Sequence, residues 1–452
     1  MKLFAATSIL LLSIATAVSS FADTEKSAED FFPLVKSQHE KIWNYSPQQI
    51  AFCLKNRHLF SWTSRQRNAL RYALKNRRGI LYWHDLPVCE AVLNFKRQKL
   101  NNIVLSLYNK ADYPKCGKSE YTIILEKSAS SLDAIYGVQN SKRQAQNIGG
   151  IRIYSRTWTD KNNEAVLDWS YSGTSRSSFK PEFINITIRS KISNAATESD
   201  NRRIGSTVKA ALAKRVTRDD NGDIYISLPM VNQGQRGYCV AASIARILKY
   251  YGSTAGQHLL AALVNTDPEK GTSLESVERA IQKVGLKFRF YTREICDRKL
   301  FREPKNLLTI IPKYNKIAKR NGKPELNAKD YVQKRRRFTF LSRQKLLRDF
   351  DEESFIAVCM KEENAFRSFK RKITAAINAG TPVLWAVQLG VIKEGKKRQF
   401  GWHMRIVNGY NSRNDELIYS DSWGKGHEEK KLTWAQAWSM SIAAYMITPR
   451  NN

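Results

Sequence analysis

The sequence holds no CxxC pair, only six histidines, and no long apolar run beyond the stretch from about Leu3 to Val18. Each absence removes a class of function. Without cysteine pairs at ligand spacing, a structural zinc site is not expected. His39, His58 and His84 are scattered without metal-ligand spacing, so neither a metal nor another cofactor is implied. Without a second apolar run of ~20 residues, no later segment spans a bilayer. Acids are scarce too: 75 Lys and Arg face 41 Asp and Glu, for a formal net charge of +34. A chain this basic meets anionic surfaces readily, whether lipid, wall polymer, released nucleic acid or acidic protein. The charge is spread along the whole chain and no dedicated nucleic-acid motif accompanies it, which favours a solvated basic surface.

The first residues carry an address. Lys2 gives a positive start, the apolar run follows, and the small residues Ser20 and Ala22 are spaced for cleavage. The reading is a signal peptide over residues 1–22, a mature chain starting at Asp23, and a secreted or periplasmic protein. Export permits disulfides among Cys53, Cys89, Cys116, Cys239, Cys296 and Cys359. If Cys239 stays a free thiolate, five remain, so at least one more is unpaired or pairs with another chain.

A chain of 452 residues, 42% of them hydrophobic, is ample for two folded units. Residues 23–192 read as helical, then β. Ser46-Pro47 is a helix entry, with Pro in the first turn. Ser64–Asn76 lacks Gly and Pro and has apolar residues near helical spacing. Aromatics and arginines alternate over Arg57–Trp83, which reads as an amphipathic helical core with a basic outer face. Tyr121–Leu125, Ile151–Tyr154, Ala165–Tyr171 and Phe183–Arg189 read as strands, the last with Ile184, Ile186 and Ile188 on one face. Asn185-Ile186-Thr187 is a glycosylation sequon, which matters only in a host that glycosylates. No chemical motif stands in this half. Residues 193–222 read as a linker ending in the turn signal Arg218-Asp219-Asp220-Asn221-Gly222.

Residues 223–452 form the second unit, opening with a strand at Asp223–Leu228. Within it, residues 299–349 read as a basic insertion with a break at Asn321-Gly322-Lys323-Pro324. The run Lys334-Arg335-Arg336-Arg337 is either a solvated face or a patch for an acidic substrate or polymer.

The chemistry concentrates at two clusters. Asn232-Gln233-Gly234-Gln235-Arg236-Gly237-Tyr238-Cys239 precedes a helix over Val240–Tyr251, stopped by Gly252. That places Cys239 in a first helical turn, where the positive helix end favours a thiolate. Its backbone N–H is free to face a developing oxyanion, and the Gln233 amide is a second donor. Gly234 and Gly237 let the loop approach a substrate. Downstream, Gly401-Trp402-His403 opens a strand over Met404–Tyr410. A turn at Asn411–Asn414 leads to a strand at Leu417–Ser420 and then Asp421-Ser422-Trp423-Gly424. A His at the start of one strand and an Asp at the end of its antiparallel neighbour lie side by side. The carboxylate then fixes the imidazole tautomer and leaves the other nitrogen for the thiol. His427 is the rival base, in a Lys/Glu-rich loop. His258 reads as a surface or packing residue.

In content, order and spacing, these motifs resemble the papain superfamily. Asp421, where papain itself has Asn, and a short helix at about Ile373–Asn378 followed by a strand at Pro382–Leu389 are similar to its bacteriocin-processing branch. The resemblance spans about Ile224 to Thr448. It implies an α+β fold, with the nucleophile on a helical half and His and Asp on an antiparallel β half. It implies Gln233 as oxyanion donor, Cys239 as nucleophile, His403 as base, Asp421 as orienting residue and Trp423 as a shield over the last pair. The expected function is hydrolysis of peptide bonds in a peptide or protein substrate. The alternatives are a transamidase or non-peptide amidase with the same triad, and a non-catalytic binder of anionic surfaces. The N-terminal half reads as an inhibitory pro-region, a targeting module or a substrate platform. Lys214-Arg215-Val216-Thr217-Arg218 suits trypsin-like removal of a pro-region.

Overall fold

The computed structural model of the chain describes residues 28–30, 41–54, 57–74, 79–113, 115–148, 151–173, 178–191, 211–234, 237–253, 255–267, 269–335, 338–395 and 398–450. The expected signal peptide and residues 193–210 of the expected linker lie outside them.

The N-terminal half is built on an eight-stranded antiparallel sheet. Its strands lie in the order Ser61–Trp62, Ala69–Ala73, Glu90–Lys96, Lys99–Asn109, Lys180–Ser190, Asn163–Ser172, Ile151–Thr159 and Ser141–Ile148. The helical-then-β expectation is therefore corrected. The helix at Pro47–Cys53 is real, entered through a Ser46 capping box. Ser64–Asn76, however, contains the strand Ala69–Ala73 rather than a helix. All five residues of that strand are buried, so its two faces give no period of two for a reader of the sequence to find. Tyr121–Leu125 errs the other way. It opens the nineteen-residue helix Lys118–Tyr136, whose inner face buries Ile124, Ser128, Leu132 and Tyr136 at steps of four. The strands expected at Ile151–Tyr154, Ala165–Tyr171 and Phe183–Arg189 are present, and Ile184, Ile186 and Ile188 are all buried.

The C-terminal half carries a second antiparallel sheet. Its order is Val216–Arg218, Asp223–Ile226, Gly401–Asn411, Val383–Leu389, Ser441–Pro449 and Phe290–Asp297. Glu416–Ser420 branches from Gly401–Asn411 and pairs onward with Lys430–Thr433. The helix Cys239–Tyr250 lies in the core of this half, with every residue but Lys249 assigned to the buried set. Mixed helices and sheets make the chain α+β. The helix expected at Ile373–Asn378 is longer, Glu363–Asn378.

One expectation about connections also changes. The end of the expected linker is not loose, because Val216–Arg218 pairs with Asp223–Ile226 at the edge of the sheet. The basic stretch at 299–349, expected as an insertion, is a packed part of this half. It folds as helices Pro304–Thr309, Ile311–Arg320 and Arg343–Asp349 with a hairpin of Val332–Arg335 and Phe338–Leu341. Its Phe301, Leu307, Tyr314 and Leu346 join the same apolar cluster as the Cys239 helix. Its charge is displayed on a packed element, as amphipathic helices allow.

Candidate active site

Cys239 is the first residue of its helix, with Tyr238 at the N-cap position and no side chain capping the end. The thiol therefore stands at the positive end of the helix beside first-turn N–H groups. His403 is the third residue of Gly401–Asn411, and Asp421 directly follows Glu416–Ser420. The pairing of Ile406 with Ser420 brings Asp421 back along the histidine strand. His403 and Arg405, two apart and so on one face, both reach the carboxylate.

The contacts are specific. His403 Nε2 lies 3.1 Å from Asp421 Oδ1, with the N–H pointing off the line to the oxygen. That orientation leaves Nδ1 for the Cys239 thiol, whose proximity also raises the imidazole. Burial disfavours a charged imidazole, but the neighbouring Asp421 and Cys239 outweigh it, and His403 is raised to about 9. Burial likewise pushes the Cys239 thiol up. The hydrogen bond and charge of His403, with backbone hydrogen bonds at Met404 and Val240, outweigh that, and the thiol stands below its ordinary value. Together these shifts favour a thiolate–imidazolium pair. Cys239 is 8% exposed and His403 5%, so water screens the pair little.

Asp421 is fully buried and has more cations around it than His403. Arg405 Nε donates to the same Oδ1 at 3.0 Å, and Lys430 Nζ is 3.3 Å from Oδ2. Burial opposes its charge, yet Arg405 above all, then His403 and Lys430, hold the carboxyl well below the usual carboxylate range. Arg405 is itself clamped by Glu394, through bonds of 2.8 and 3.0 Å, and its guanidinium lies 4.4 Å from the Tyr419 ring centroid. Asp421 is thus a fixed anion and not a proton acceptor.

Trp423 stacks on His403 at 4.6 Å with the planes 25° apart. His427 packs edge-on against Trp423, and its backbone carbonyl accepts the Asp421 N–H at 2.9 Å. Its ring is held below its ordinary value by burial and Lys430. Gln233 is buried, and its backbone N–H donates to Ser422 O at 2.8 Å, tying the Gln loop to the Asp loop. Ser243, one turn into the helix, bonds both Met404 O and Ser422 Oγ, at 3.3 and 3.2 Å. Two glycines are explained by close approach. A Cβ on Gly237 would lie 2.7 Å from the Gly271 backbone, so that residue serves packing of the loop and not only substrate access. Gly424, at φ +89°, presses on Asn232, where a Cβ would meet Nδ2 at 2.4 Å. Gln235 and Arg236 lie outside the described residues.

The structure thus brings Cys239, His403, Asp421 and Trp423 together and fastens the Gln233 loop beside them. Reading the sequence missed Arg405, Glu394 and Ser243. An Arg two residues after the His, on the same face, was the available signal. His258 is not a surface residue: it is buried, with Nε2 2.8 Å from Glu90 Oε2. No disulfide forms among the described residues, which include all six cysteines. Among the described residues, one cluster has acidic groups near enough to share a cation, Glu278, Glu294 and Asp297, but Arg302 already bridges Glu278 and Asp297 at 2.5 Å each.

A thiol, an imidazole and a carboxylate gathered between a helix end and an antiparallel sheet form the kind of centre that cysteine hydrolases use. Comparison with known families agrees. Residues 227–314 match the Peptidase C39 family and residues 352–446 match the Peptidase C39-like family, which relates the chain to papain-like cysteine peptidases of the C39 branch. Cys239 falls in the first match and His403 and Asp421 in the second, and the gap between the matches falls mostly within the basic insertion. No curated protein matches the chain.

Proposed function

We propose that the chain is an exported cysteine peptidase that hydrolyses peptide bonds through a thiol acyl-enzyme. The observation that carries this is the placing of His403, 3.1 Å from the Asp421 anion and electrostatically coupled to Cys239 at the start of its helix. The Cys239 thiolate attacks the substrate carbonyl carbon. The Cys239 N–H and the Gln233 amide hold the oxyanion. The C–N bond breaks as His403 gives its proton to the leaving amine. His403 then takes a proton from water, which attacks the thioester and frees the acid. The helix bearing Cys239 and the sheet bearing His403 and Asp421 fit the two halves of a papain-like unit. Export rests on the N-terminal sequence alone. Among the described residues, no helix is long and apolar enough to cross a membrane.

The pH dependence of kcat/KM tests this reading. The active form needs Cys239 deprotonated and His403 protonated. Activity is therefore expected to rise on an acid limb below the ~8.5 of a free thiol and to fall on an alkaline limb as His403 loses its proton near 9. These limbs belong to the coupled pair. A profile that only rises through pH ~8.5, as for an unassisted thiol, contradicts the ion pair.

A further inference from the structure

The N-terminal half reaches the candidate site through one buried carboxylate. Glu90, the first residue of the strand Glu90–Lys96, is 4% exposed and points across into the C-terminal half. Its Oε2 lies 2.8 Å from His258 Nε2, and its Oε1 pairs with Arg71 Nε. Gln257 Nε2 reaches both carboxylate oxygens, at 3.4 and 3.3 Å, and also donates to the Asn232 carbonyl at 3.3 Å.

Each of these partners touches the loop that carries Gln233. Gln257 holds Asn232, the residue before Gln233. Arg71 Nη2 packs over Gly234, the residue after it, 3.4 Å from where a Cβ would stand. His258 meets the ring of Tyr238, the residue before Cys239, edge-on at 5.8 Å. A second contact touches the opposite loop, where the Arg65 N–H donates to Glu428 Oε1 at 2.7 Å, four residues past Gly424.

We infer that Glu90 is a positioning residue for this site: the N-terminal half braces the Asn232–Cys239 loop from behind and so sets the Gln233 donor. The inference rests on the peptidase reading for its catalytic consequence. It makes the N-terminal half a built-in support and not an inhibitor to be removed. The removal sequence at 214–218 agrees, because Val216–Arg218 is paired into the catalytic sheet and Arg215 Nη1 bonds Tyr250 O at 2.9 Å. A carboxylate suits the task because one group accepts from an amide, a guanidinium and an imidazole together, and charge-assisted bonds are short and directional.

The test uses the full chain with two variants. Glu90→Gln removes the charge at constant shape. Gln257→Ala cuts the bridge from Glu90 to Asn232 and leaves the Arg71–Glu90 pair intact, so it reports even if the first variant folds poorly. Amide hydrogen exchange of residues 230–239 is followed by mass spectrometry beside kcat, KM and the rate of Cys239 alkylation. Loop exchange is expected to rise about tenfold and kcat to fall about tenfold or more, the scale of a misplaced oxyanion donor, with KM and alkylation little changed. Unchanged loop exchange in both variants overturns the inference. So does a joint fall of kcat, alkylation and thermal midpoint, which marks a merely structural contact. A wild-type chain that hydrolyses no peptide, while the variants still loosen the loop, supports the bracing role and rejects the peptidase reading.

Discussion

Cys239→Ala is expected to reduce peptide hydrolysis by about 10,000-fold or more, the scale seen when a covalent nucleophile is removed. What remains is catalysis by the oxyanion donors alone, without an acyl-enzyme. The substitution shortens a nearly buried side chain by one sulfur at the start of a helix, where Ala is favoured, so the fold is retained. A second readout separates this from general damage. Cys239 supplies both a hydrogen bond and a charge that keep His403 protonated. In the variant His403 titrates clearly below about 9, because burial still disfavours its charge and one of its two supports is gone. Hydrolysis within tenfold of wild type, or an unshifted His403 titration by NMR, removes Cys239 from the assigned role.

Arg405→Leu produces the largest expected change in stability. Arg405 is 2% exposed and lies between Asp421, at 3.0 Å from Nε, and Glu394, at 2.8 Å from Nη1. Its removal leaves two carboxylates with too little positive charge around them. Breaking a buried pair from one side costs about 3–5 kcal/mol. The pH dependence has a definite sign. Asp421 is depressed in the folded chain, so its contribution is present above the unfolded carboxylate value of ~3.9 and is lost only as pH falls through the lower folded value. Without its strongest partner the folded value rises, and the contribution is lost at higher pH. Chemical denaturation at pH 7 and acid denaturation check both parts: lower stability, and an acid midpoint shifted upward. An unchanged acid midpoint means that Lys430 and His403 alone suffice to hold Asp421 charged.

The juxtaposition of Cys239, His403 and Asp421 was legible in the sequence because its signals are local. Gly237 before Cys239, the apolar helix after it, and a His opening an apolar strand each occupy a few consecutive residues. The antiparallel return from His403 to Asp421 follows from one short turn. The environment of Asp421 was less legible, because Glu394 lies 11 residues from Arg405 across a loop, and only packing brings them together. The N-terminal half was misread where local preference and burial disagree. Ala69–Ala73 is buried on both faces and shows no alternation. Lys118–Tyr136 begins with Tyr121-Thr122-Ile123-Ile124-Leu125, rich in strand formers, yet its burial every fourth residue fixes it as a helix. Glu90 and His258 are 168 residues apart, so no window of sequence contains their contact.

That contact changes how the chain's two halves are understood. A basic N-terminal region without a motif reads from sequence as an inhibitory pro-region, a targeting module or a substrate platform. The structure instead gives it a buried anchor beneath the Gln233 loop, while its backbone at Arg65 meets the loop beyond Gly424.

The central claim is that Cys239 and His403 form an ion pair before any substrate arrives. The most direct measurement is the rate of Cys239 alkylation by iodoacetamide across pH, read by peptide mass spectrometry, in the wild-type chain and in His403→Ala. The account predicts a wild-type alkylation titration below pH ~8.5, and in the variant a return of the titration to the free-thiol range or above it, since burial then acts unopposed by the imidazolium. A Cys239 that titrates like a free thiol in both proteins contradicts it.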